Sequence, residues 1–122
     1  MVENSVTLPG TMWHVSITVN GDPVPTHGLK IGLANLDFAH PFGLSARYAE
    51  DLVELRYWDE GSDCSTVSAA GLRLWDEHRA SAGLPAWAIV GLEVLDRPTF
   101  RRRWPKGSDA GQLLSPGIRP LR

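Results

Sequence analysis

Four histidines, one cysteine and a short acidic cluster are the residues of this chain whose types could do chemistry. Catalysis finds little support among them. His14, His27, His40 and His78 include no pair at the H-x3-H spacing that puts two metal ligands on one helical face. His78 falls on an apolar helical stripe, where a histidine is ordinarily a satisfied boundary residue. Asp37 lies three residues before His40 and could form an acid–base pair with it, but that spacing is common at helix ends. Cys64 sits near a helix N-terminus, which favours a thiolate, with no sequence-adjacent base to activate it. Asp59-Glu60-Gly61-Ser62-Asp63 starts like a calcium loop, yet Gly61 occupies the third position and Ala70 the twelfth, where a glutamate is required. Helix capping accounts for these acids more simply. No phosphate-cradling glycine loop and no G-x-S-x-G elbow occurs. Catalytic residues, metal and cofactor are therefore all expected to be none. Recognition chemistry is better represented. His14, Arg47, Glu54, Arg56 and Trp58 fall on what should be one polar sheet face. Arg101, Arg102, Arg103 and Trp104 form a basic run closed by an aromatic ring, suited to phosphate contact and stacking.

The elements that must position these residues can be read from periodicity. Trp13, Val15, Ile17 and Val19 alternate with His14, Ser16, Thr18 and Asn20, which predicts a half-buried strand over Met12–Asn20. Asn20-Gly21-Asp22-Pro23 ends it with turn chemistry. Leu29, Leu33 and Leu36 share a helical face within Thr26–Ala39. Gly28 and Gly32 oppose that helix, and a strand at Leu29–Leu33 is the competing reading. Gly43–Tyr48 and Leu52–Trp58 form a hairpin folded near Glu50-Asp51. The register pairs Tyr48 with Val53, Arg47 with Glu54 and Ala46 with Leu55, so apolar pairs share one face and opposite charges meet on the other. A second helix runs over Ser65–Ala82, from a cap at Ser62 or Asp63 to Gly83. A last strand, Trp87–Asp96, should bury Val90, Leu92 and Val94. Arg97-Pro98 should break it, and Thr99–Trp104 can form a helical turn.

The order β-α-β-β-α-β over residues 12–96 is the pattern of an α+β, ferredoxin-like fold, a four-stranded antiparallel sheet with two helices on one face. Residues 1–11 read as a flexible lead-in. Residues 97–122 read as a basic tail containing Pro and Gly, free or draped.

A chain of 122 residues, 43% hydrophobic and 21% charged, suits a single globular domain. No apolar run reaches membrane-spanning length, the N-terminus lacks the pattern of a signal peptide, and lone Cys64 fits a cytoplasmic setting. Ten arginines against two lysines point to a GC-rich, bacterial genome. Net charge is −2, but residues 1–96 hold thirteen acids and five bases whereas residues 97–122 hold seven bases and one acid. Five tryptophans are present; Trp58, Trp87 and Trp104 fall at element ends or on the open face, as contact residues often do. These features favour a small non-enzymatic interaction or regulatory protein, with a protein partner or self-association and no membrane. Two alternatives are a small-molecule enzyme of the dimeric α+β-barrel kind, and nucleic-acid binding through the Arg-rich tail.

Overall fold

Strict alternation builds the central strand. In β1 (Thr11–Asn20), Val15, Ile17 and Val19 are completely buried on one face. The computed structural model describes residues 10–39, 43–105 and 116–121. After β1 come α1 (Thr26–Ala39), β2 (Ser45–Ala49), β3 (Leu52–Gly61), α2 (Cys64–Ala82), β4 (Ala88–Asp96), α3 (Arg97–Arg103) and β5 (Gly117–Pro120). The fold is α+β: a mixed five-stranded sheet in the order β4-β1-β3-β2-β5, with three helices. The expectation of four strands, all antiparallel, is corrected by β5, which pairs parallel to β2.

The α1 helix forms over its expected span despite two glycines. Gly32 sits where an added Cβ would stand 2.7 Å from Leu84 Cδ2, so only glycine lets α1 pack this closely against the segment that follows α2. Leu29, Leu33 and Leu36 then fill the core beside Val53, Leu55 and Trp75. The Asp63 carboxylate caps α2 by accepting from Thr66 N at 2.8 Å. Gly83, at φ 85°, closes that helix as its own amide donates to Ala80 O and Leu84 N donates to Arg79 O.

The hairpin register agrees with the pattern of facing residues: Arg47 lies opposite Glu54 and Tyr48 opposite Val53. Several other expectations are revised. Asp59 and Glu60 belong to no loop; β3 continues to Gly61 and pairs along the whole of β1. In the β1–β4 pairing the register shifts between Thr18 and Val19 of β1. Leu92 and Val94 oppose Ile17 and Val15, yet on this edge strand Leu92 is exposed and Val94 only half-buried, against the expectation that both are buried; past the irregularity Ile89, not Val90, opposes Val19. One extra residue turns Val90 outward, where it is 56% exposed. Pro98 starts a helix where a break was expected, because a proline in the first turn lacks only an amide that has no intrahelical partner. Part of the tail is structured as β5. Residues 1–9, the Asp37–His40 pairing, the His40-Pro41-Phe42 turn and Lys106 lie outside the described residues.

Candidate functional site

The sheet face opposite α1 and α2 was expected to be uncovered, and α3 covers one end of it. Asp96 ends β4 and at once caps α3, accepting from Thr99 N at 2.9 Å. Hydrogen bonds from the Thr99 side chain and amide, helped by the Arg102 charge, hold the Asp96 carboxyl below its usual range. The strand-to-helix junction leaves no slack, so α3 folds back over β1 and β4, and Phe100 reaches Trp58 of β3. Phe100 is its anchor. The Phe100 ring lies 4.4 Å from that of His14 and 4.8 Å from that of Trp58, centroid to centroid, and the His14 and Trp58 rings are 5.1 Å apart. The T-shaped geometries at Trp58 place ring edges against ring faces, as aromatic quadrupoles prefer.

His14 is therefore not an open-face contact residue: it is 5% exposed beneath Phe100. Burial, reinforced by the nearby Arg56 charge and opposed by Glu93, lowers its pKa to about 4. His14 is neutral near pH 7 and packs as an aromatic ring. Arg47 is buried as well, at the other end of the face. Its Nη1 donates to Ser45 Oγ at 3.3 Å, Ala46 O at 3.0 Å and Gly117 O at 3.2 Å. Burial lowers its pKa, with Arg119 and Arg56 adding to the effect. Although Glu54 faces Arg47 in register, it pairs with Arg56 on its own strand at 3.4 Å. Arg47 thus ties β5 to β2 instead of presenting a charge to a partner.

The remaining residues separate by helical angle. Arg97, Phe100, Arg101 and Trp104 follow i, i+3, i+4, i+7 and share one side of α3 and its C-cap. With Met12 and Trp58 they line an open groove of about 770 Å³. The Arg97 guanidinium lies 5.8 Å from the Trp58 ring centroid, a cation–π contact. Arg101 is exposed and forms no ion pair among the described residues. Arg103 points elsewhere and bonds Glu93; Arg102 is exposed outside the groove. One groove therefore joins Trp58 of the sheet to Arg101 and Trp104 of the tail. The sequence reading missed Met12, Arg97 and Phe100 as lining residues. Asp96 followed by Arg97-Pro98 was the available signal, since a capping acid just ahead of a proline marks a helix start.

Other candidates resolve differently. Trp87 is buried and structural: its indole donates to Asp22 O at 3.1 Å, while Trp75 donates to Trp87 O at 2.9 Å. Cys64 is exposed, its Sγ 3.9 Å from Ser68 Oγ. Among the described residues no group of three or more His, Cys, Asp or Glu is placed to hold a metal ion, and no helix is long and apolar enough to cross a membrane.

Residues 12–111 match the family described as Domain of unknown function (DUF8830), and the chain belongs to it. No curated protein and no solved structure matches the chain.

Proposed function

We propose that this is a non-enzymatic interaction protein whose contact surface is the α3 groove, and that its partner offers a short acidic segment carrying an aromatic or aliphatic anchor. The observation that carries the reading is the groove's composition: apolar Met12, Trp58, Phe100 and Trp104 flanked by the guanidinium groups of Arg97 and Arg101. Tryptophan and arginine are the residue types most enriched at binding hot spots, and a ring floor with a cationic rim suits a carboxylate-bearing peptide. The thirteen acids of residues 1–96 repel a long polyanion, which favours a short segment over nucleic acid. In this reading residues 12–96 are a ferredoxin-like unit extended by α3 and β5. Lone Cys64 agrees with a cytoplasmic setting. α3 also occupies the sheet face that a dimeric α+β-barrel enzyme would pair with its twin.

Binding of a glutamate–tyrosine copolymer, followed by tryptophan fluorescence at low and high salt, tests the proposal. Affinity should fall with salt and be lost in an Arg97→Glu/Arg101→Glu variant that keeps its fold. Binding of a single-stranded oligonucleotide with no binding of the copolymer would overturn it in favour of nucleic-acid stacking on Trp58 and Trp104.

A further inference from the structure

The opposite side of the molecule carries a second surface that the α3 groove does not explain. On α1, His27, Ile31, Ala34 and Phe38 recur at four, three and four residues and form a stripe facing solvent. Phe38 is 88% exposed and Ile31 50% exposed. Among the described residues little covers the Phe38 ring. Lys30 and Asp37 flank the stripe on the same side, at 100° per residue, and neither forms an ion pair among the described residues. At the N-terminal end of α1, an apolar pocket of about 260 Å³ opens between Val24-Pro25, Gly28-Leu29 and the Gly83–Pro85 segment. A Cβ added to Gly28 would meet nothing within 4 Å, so the glycine leaves this pocket open.

We propose that two copies of the chain associate through α1, packed antiparallel about a two-fold axis beside Ala34. Antiparallel packing brings same-side flanks together, so Lys30 of each copy meets Asp37 of the other, twice by symmetry, and no like charges face each other. The same register carries Phe38 of one copy to the level of Leu29 and Gly28 of the other, where the apolar pocket lies. With Lys30 level with Asp37, Phe38 stands level with Leu29, nine residues or about 13.5 Å away along the helix axis, and Gly28 lies about 1.5 Å beyond. Ala34, the small residue at the centre, lets the helices approach. Exposed ring, open pocket and charge order thus meet in one register. The surface lies on the helical layer, away from the α3 groove, so it stands independently of the function proposed above.

Sedimentation equilibrium of the full chain over a wide concentration range tests this. A species of twice the 13.4 kDa chain mass is expected. Phe38→Ser should make the chain monomeric with unchanged circular dichroism. Gly28→Leu should do the same by filling the pocket, since open space surrounds that position. Lys30→Asp should weaken association about tenfold or more by setting two carboxylates together, and Lys30→Asp/Asp37→Lys should restore it. A chain monomeric at every concentration, or a dimer unaffected by both Phe38→Ser and Gly28→Leu, would overturn the proposal.

Discussion

Replacing Phe100 with alanine tests whether α3 is held to the sheet by one ring. The helix has seven residues and four of its side chains are Arg97, Arg101, Arg102 and Arg103, so it lacks intrinsic stability away from the sheet. Its only buried side chain is Phe100. Full burial of a phenylalanine is worth about 1.5–3 kcal/mol, and truncation removes most of it. A domain this size should lose roughly that amount in chemical denaturation, and α3 should open locally even where the rest stays folded. His14 reports the event directly. Uncovering its ring removes most of the burial that holds its pKa near 4, so the value should rise toward the unperturbed 6.5, with Arg56 still opposing the rise. NMR titration of the His14 ring protons reads both states. The sign of the pH dependence follows. The folded pKa lies below the unfolded one, so the unfolded chain binds more protons between pH 4 and 6.5. His14 therefore contributes stability that is fully present above about pH 6.5 and is lost as pH falls toward 4, with a slope of at most about 1.4 kcal/mol per pH unit. A His14 that titrates near 6.5 in the unaltered protein, or stays near 4 in Phe100→Ala, would refute the reasoning.

Three further outcomes are expected. Gly28→Ala in dilute solution should stabilise the chain by up to about 1 kcal/mol through helix propensity, whereas Gly32→Ala should destabilise it by about 1–3 kcal/mol through collision with Leu84; paired urea melts check the contrast. Asp63→Ala should cost about 1 kcal/mol by leaving the Thr66 amide uncapped, seen as a lower melting temperature. Arg47→Ala should loosen β5, and hydrogen exchange at the amides of Gly117 and Leu121, which donate to Leu44 O and Tyr48 O, should quicken about tenfold or more.

The helices and the central hairpin were legible because their signals are local. Alternation in β1, leucine spacing in α1 and the Asp63 and Gly83 caps all act within a few residues. Gly32 looked like a defect until Leu84 was placed against it, and that contact joins residues far apart in sequence. The same limit explains the site. Arg47 and Glu54 face each other in register as read, but β5 arrives from the tail and captures the guanidinium. His14 alternates outward as read, and only the turn at Asp96 reveals that Phe100 covers it. The tail's arginines looked equivalent, and helical angle divides them into Arg101 in the groove and Arg103 on Glu93.

The strand β5 also bears on the order in which the molecule completes itself. Gly117 and Arg47 are bonded across 70 residues of chain. During synthesis the outer edge of β2, with its row of unspent amide and carbonyl groups, stays bare after the hairpin and both large helices have emerged. A bare edge of that kind recruits foreign strands. Four residues, one of them a proline that cannot donate onward, close it and blunt it together. β5 is in this sense a seal on the nascent fold, and a chain lacking residues 117–120 should aggregate before it unfolds.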